Sequence, residues 1–308
     1  MSATAIPTAT RLGTEARLRP RFAGLAVLAG LLLLGAAIVQ MFGPHAKVDE
    51  ATLDLIVANK RAGLDILAAA IDAVGSLAIA GTLLFLLASA RARNPQVAGV
   101  LRIVVIVGAV LAAISSLVYA IVISHKAHQF VTSGNQTYVQ AHQVTSSGGL
   151  VAFQVLGLLG ALLVAVSLVL VSIQAMRVGL LTRFMGYLGI ISGALVIFQV
   201  TPVPVVETYW FLALAVLLIG RWPSGEPPAW RSGKAEPWPS AQAMREQRIR
   251  AAGGDPAKGG RGRGGGQAKA GRLPAGKSGG VATAPAPAAT ESTAAAGAAA
   301  KRKRKRRR

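Results

Sequence analysis

A few polar side chains set inside long apolar runs are the residues able to do chemistry here. Asp72 is the sole charge between Ile66 and Ala90, and Gln40, Tyr119, Gln154 and Gln199 each interrupt or border another apolar run. A carboxylate within such a run marks a functional site by default, because a charge is costly there unless it is used or paired. The simplest arrangement is a polar cavity with Asp72 at its centre. A lone acid is, however, more often a hydrogen-bonded or hydrated structural group than a transport centre. The histidines suggest a second chemistry. His125 and His128 stand three residues apart and would share a helix face, so that with His142, and Asp49 or Glu50 in support, a metal site can be drawn. Solvated loop histidines are the commoner case, and no cofactor is expected. The chain has no cysteine, which excludes a disulfide scaffold and thiolate chemistry. It also lacks a Walker loop, a dinucleotide fingerprint, an HExxH pair and a Gly-x-Ser-x-Gly elbow, so an enzyme is not expected.

The elements that must position these groups follow from length. Among 308 residues, Phe22–Phe42, Ile66–Ala90, Val97–Ser124 and Leu150–Ile173 are apolar over about 20 residues or more, the length that spans ~30 Å of hydrocarbon. Phe184–Val200 and Val205–Gly220 are shorter, and the Thr201-Pro202-Val203-Pro204 break between them reads as the turn of a helical hairpin. The expected fold is all-α, a transmembrane bundle of six spans, with four spans plus a re-entrant pair as the fallback. Phe22–Phe42 exceeds a signal-peptide core and no clean cleavage site follows it, so it is expected to remain as the first span. Frequent Gly and Ala within the spans suit close helix packing.

Charge sets the expected orientation. Arg11, Arg17, Arg19 and Arg21, then Arg91 and Arg93, then Arg177 and Arg183 fall on one side, which places both termini in the cytoplasm. Gln40, Asp72, Tyr119, Gln154 and Gln199 then lie in the outer half of the membrane. Ser115 and Ser116 sit near its middle, and Glu207 caps the outer start of the last span. Arg102 lies about one turn from the inner surface, where it can snorkel, too far from Asp72 to pair with it. Outside, Asp49 is expected to cap a short helix through Asn59, ended by Gly63, and Ser133-Gly134-Asn135 is expected to turn between extensions of the third and fourth spans.

The net charge of +21 divides unevenly. Residues 1–220 contain 13 Lys and Arg against 7 Asp and Glu, whereas 221–308 contain 20 against 5. The expected organisation is a disordered cytoplasmic segment over 1–21, a membrane domain over 22–222, a Pro/Trp-rich juxtamembrane segment with a short helix over 223–252, and a disordered polybasic tail over 253–308. Trp222, Trp230 and Trp238, with their prolines, are expected to fold back onto the inner face of the bundle. The chain ends in Lys301, Arg302, Lys303, Arg304, Lys305, Arg306, Arg307 and Arg308. These eight cations suit anionic lipid headgroups or nucleic acid, without base-specific reading; the alternative is a run that only solvates the terminus.

The run Met176-Arg177-Val178-Gly179-Leu180-Leu181, continuing from Arg183-Phe184-Met185-Gly186-Tyr187-Leu188 to Leu195, and the later Gly220-Arg221-Trp222-Pro223-Ser224-Gly225-Glu226-Pro227-Pro228-Ala229-Trp230 carry a resemblance. The chain resembles an uncharacterised group of multi-pass membrane proteins of high-GC actinobacteria, which similarly have a Pro-Trp-Pro segment and a Lys/Arg-rich end. The match covers about 176–240 and implies location and architecture, with no catalytic residue. The expected protein is therefore a non-enzymatic scaffold or envelope-associated protein of the bacterial plasma membrane whose tail contacts lipid or nucleic acid. The alternative is a small transporter or sensor built around Asp72.

Overall fold

Without water to satisfy its N–H and C=O groups, an apolar backbone must pair internally, and helices do this within one segment. The computed structural model describes residues 8–45, 50–198, 204–237, Arg245, Ile249 and Arg250. Its helices are α1 (Thr8–Met41), α2 (Ala51–Arg93), α3 (Val100–Ser133), α4 (Tyr138–Thr145), α5 (Gly148–Arg177), α6 (Arg183–Phe198), α7 (Val205–Leu218) and α8 (Pro228–Ser232). The chain forms one compact unit to Gln247 and a second from Arg248, of which only Ile249 and Arg250 are described, both helical. The expected helix over Ser240–Ala252 otherwise lies outside the described residues, as do the expected disorder of 253–300 and the Lys301–Arg308 run.

Four helices, α1, α2, α3 and α5, are long and apolar enough to cross a bilayer. Their outward faces carry large apolar side chains, such as Ile103, Ile106, Val110 and Ile114 on α3 and Val151, Val155 and Leu158 on α5, all exposed. Where they face each other the residues are small: Ala23, Ala26 and Ala29 of α1 are fully buried. Large apolar groups outside and small ones inside is the pattern of a helical bundle in lipid, where association relies on close packing. The protein is an integral membrane protein.

The helices close a ring in the order α1, α2, α3, α5, α6, α7 and back to α1, with α2 also meeting α5. Glycines permit the closest approaches. A Cβ on Gly160 of α5 would stand 2.5 Å from the Ala112 nitrogen of α3, and one on Gly30 of α1 would stand 3.2 Å from the Thr208 carbonyl of α7.

Two expectations change. First, α1 begins at Thr8, so the segment to residue 21 is largely helical where disorder was expected. Second, the short outer helix and the second span are one 43-residue helix, because Gly63 does not end it. Leu55, 1% exposed, packs with Ala127, Phe130 and Ala141 on α3 and α4. That burial is worth about 2 kcal/mol, against about 1 kcal/mol lost at a helical glycine. An Arg61–Asp65 pair at 3.2 Å also bridges the glycine. The last two helices are short, as their sequences implied: α6 and α7 are 16 and 14 residues long, about 24 and 21 Å at 1.5 Å per residue against the ~30 Å of a full span. The Gly30–Thr208 contact puts the first turn of α7 level with a point about two-thirds of the way along α1, which continues eleven residues further, about 16 Å, to Met41. On the α6 side, Gly193 meets the Ala165 carbonyl in the middle of α5.

At the opposite end the expected fold-back occurs for Trp222 and Trp230, while Trp238 lies outside the described residues. Trp230 is 5% exposed and its Nε1 donates to the Leu180 carbonyl at 3.0 Å. It stacks on Phe85 and lies between the guanidinium groups of Arg19 and Arg93, 4.8 and 5.0 Å from the ring centroid. Arg93 donates to both carboxylate oxygens of Glu15, at 3.0 and 2.7 Å, and to the Ser89 and Ala229 carbonyls. Arg19 pairs with Glu226, and Arg11 donates to the Ala92 and Gly233 carbonyls. The Glu236 N–H reaches the Val178 carbonyl at 3.2 Å. These contacts, absent from the sequence reading, hold α1 helical through residues expected to be disordered.

Candidate functional site

The ring of helices converges on a cavity of about 340 Å³ lined by all six of its members. From α2 come Asp72, Ser76 and Ile79. From α3 come Ser115, Ser116 and Tyr119, and from α5 Phe153, Gln154 and Gly157. Leu33 of α1, Val196 of α6, and Pro204, Glu207 and Phe211 at α7 complete the wall. Asp72 faces inward because α2 is the most enclosed of the long helices, meeting α1, α3 and α5. Ser116 lies beside its carboxylate. Gln154 Nε2 approaches the Tyr119 hydroxyl at 3.5 Å, across the α3–α5 contact.

Glu207 contributes a second carboxylate. It is 4% exposed, and its Oε2 has no hydrogen-bond partner among the described residues. A buried polar atom without a partner is costly, so it points to a group that binds there. No Lys, Arg or His lines this cavity among the described residues. Two acids, several hydroxyls and an amide on an otherwise apolar wall therefore form a site that favours a positive or hydrogen-bond-donating group with an apolar body.

A neighbouring cavity of about 260 Å³ lies toward the histidine-bearing end and is lined by Gln40, Asp65, Ala68, Ser116, Tyr119 and Ile123. Ser116 and Tyr119 line both cavities. Asp65 is held by Arg61, which also donates to the Gln40 carbonyl at 2.9 Å.

Of the candidates expected from sequence, Asp72, Tyr119 and Gln154 share the central cavity and Gln40 lines the adjoining one. Gln199 lies outside the described residues. Arg102 is remote from Asp72, in a groove with Arg91 and Pro95. The histidines are not brought together. His125 Nε2 meets the Gln129 amide at 3.0 Å, His128 Nδ1 meets Asn59 Oδ1 at 3.3 Å, and His142 stacks on Tyr138. Among the described residues no three His, Asp or Glu side chains are grouped to hold a metal ion. The reason is the turn at Gly134–Thr137, which sends α4 off with its own cap: the Thr137 hydroxyl accepts from the Gln140 N–H. Asp49 lies outside the described residues, and Glu50 forms the N-cap of α2.

Two participants escaped the sequence reading. Glu207 reads in sequence as a helix-start cap, and Asp65 lies just before the apolar run that begins at Ile66. The available signal for Glu207 was its position three residues after Pro204 in a run with no other charge.

A family model described as a domain of unknown function (DUF4386) matches residues 23–222. No curated protein and no solved structure matches the chain.

Proposed function

The chain belongs to the DUF4386 family, and from that premise we propose that it is a non-enzymatic membrane protein, a small transporter or sensor, that binds a compact amphiphilic cation in the cavity between Asp72 and Glu207. One observation carries this reading. Two carboxylates, one with a buried oxygen lacking a partner, line an apolar cavity that offers no basic side chain among the described residues. An apolar body with an ammonium-like head satisfies both features, whereas an anion meets two negative groups. The α6–α7 pair is a re-entrant hairpin in this reading, with Pro204 and Glu207 presenting their end of α7 to the cavity. Irregular backbone at membrane depth is tolerated where it lines a cavity, and interrupted helices are how transporters build binding sites.

The test is equilibrium binding of tetraphenylphosphonium and of a short-chain quaternary ammonium to the purified protein, beside neutral analogues of equal size. Saturable binding of the cations, lost in Asp72→Asn and Glu207→Gln, is expected. Equal binding of the neutral analogues would overturn the proposal.

The membrane is a bacterial plasma membrane with both termini cytoplasmic. Arg11, Arg17, Arg19, Arg21, Arg91, Arg93, Arg102, Arg177, Arg183 and Arg221 belong to helix ends on one side of the bundle, and the positive-inside rule supports that side as the cytoplasmic one.

A second reading rests on the eight consecutive cations from Lys301 to Arg308. In it the protein is a scaffold or envelope-associated protein whose tail contacts anionic lipid or nucleic acid. Removal of 253–308 separates the two readings: cation binding should persist, while crosslinks from the tail to lipid or nucleic acid should vanish.

A further inference from the structure

We infer that a groove between the end of α2 and the start of α3 is a binding site for an anionic phospholipid, with Arg91 and Arg102 on its phosphate and Leu84 and Leu87 along its acyl chain. The groove encloses about 560 Å³ and also includes Ala88 and Pro95. It is separate from the Asp72 cavity and shares no residue with it.

The two guanidinium groups differ from their neighbour Arg93 in one decisive way. Arg93 is buried and fully engaged with Glu15, Ser89 and Ala229. Arg91 and Arg102 are exposed and, among the described residues, have neither an acidic partner nor a side-chain hydrogen bond. Arg91 is nonetheless placed, its guanidinium packing over Gly99 at the start of α3, where a Cβ would come within 3.4 Å of it.

No acid lines the groove, so its two cations act together on whatever enters. Planar guanidinium forks suit phosphate oxygens, which they bind in bidentate fashion. A free phosphate would use only the arginines. From them the groove is walled along α2 by Ala88, Leu87 and Leu84, one to two turns before Arg91. A headgroup at the rim with a chain running inward matches both parts, and arginines at this depth of a span already reach toward the headgroup layer. The groove is built from residues 84–102 alone and includes none of the Lys301–Arg308 run.

The test uses the full-length protein in detergent micelles and native mass spectrometry, at a salt concentration that screens the tail equally in every variant. Phosphatidylglycerol, phosphatidylcholine and inorganic phosphate are added in separate arms. The wild type should retain phosphatidylglycerol over phosphatidylcholine, and Arg91→Gln/Arg102→Gln should weaken that retention roughly tenfold or more. Asp72→Asn should leave it unchanged, so that failure here and failure of the cavity proposal are distinguishable. Equal retention by the double variant would overturn the inference, as would equal retention of phosphatidylcholine. Displacement of the lipid by millimolar inorganic phosphate would also overturn it, in favour of a soluble anion. Should the double variant fail to fold, the single variants Arg91→Gln and Arg102→Gln carry the same test, each expected to weaken retention about threefold.

Discussion

Asp72 and Glu207 illustrate how far a single residue can be read without its neighbours. Asp72 is conspicuous in sequence because it is the only charge in its run. Glu207 has the same property, yet its place three residues after a proline made capping the simpler explanation. Its burial and its unpartnered oxygen are consequences of what α1, α5 and α6 place around it. The two acids should respond differently to neutralisation. Asp72→Asn and Glu207→Gln are each expected to weaken binding of a tetraphenylphosphonium probe about tenfold or more, since a hydrogen bond or contact to a charged group is worth about 1.5–3 kcal/mol. Glu207→Gln is also expected to leave the thermal midpoint in detergent unchanged or raised, because it replaces an unpaired buried carboxylate by an uncharged amide. A lowered midpoint with binding intact would assign Glu207 a purely structural role.

Glycine separates element-level predictions that composition alone merges. Gly63 lies inside α2 with nothing within 4 Å of an added Cβ, so Gly63→Ala is expected to stabilise by about 0.5–1 kcal/mol through helix propensity. Gly160 is the opposite case. An alanine there drives its Cβ against the Ala112 backbone at 2.5 Å, and separating α3 from α5 should cost about 1–3 kcal/mol. Thermal unfolding of both variants in one detergent reads the contrast directly. The long helices were legible because some twenty consecutive apolar residues admit almost no other structure in lipid. The continuity of α2 was not legible, because the packing that outweighs Gly63 comes from Phe130 and Ala141, some seventy residues or more away. The histidines show a related limit: spacing sets a shared face on α3 for His125 and His128, but the turn before α4 decides what that face meets.

For the whole molecule, the contacts around Trp230 tie the start of α1, the end of α2, the α5–α6 turn and the chain after α7 into one assembly. Trp230→Ala is expected to cost about 3 kcal/mol or more, for a buried aromatic leaves a large void. The Glu15–Arg93 pair offers a finer test. Either alanine substitution alone should destabilise by about 3 kcal/mol, by stranding the other charge, while the double substitution should cost less than the two together. Additive costs from a double-mutant cycle would mean that the pair is not coupled. The orientation is testable at the same scale: reporters fused at either terminus should both be active in the cytoplasm, for six spans and for four spans with a re-entrant hairpin alike. An active reporter on the outer side at the C-terminus would reverse every depth inferred from charge.

By itself the sequence determined that this is a helical membrane protein, which four apolar runs lie within its long helices, and that Asp72 is its most unusual embedded group. Each of these follows from the cost of exposing polar backbone or charge to lipid, a cost that acts locally and is therefore written in local runs. The tertiary structure alone decided that Asp72 shares a cavity with Tyr119, Gln154 and Glu207, that α7 begins beside Gly30, well short of the end of α1, and that Arg93 is engaged while Arg91 and Arg102 are left facing a groove. Those outcomes depend on which helices become neighbours in the ring, and that is set by packing between residues far apart in the chain.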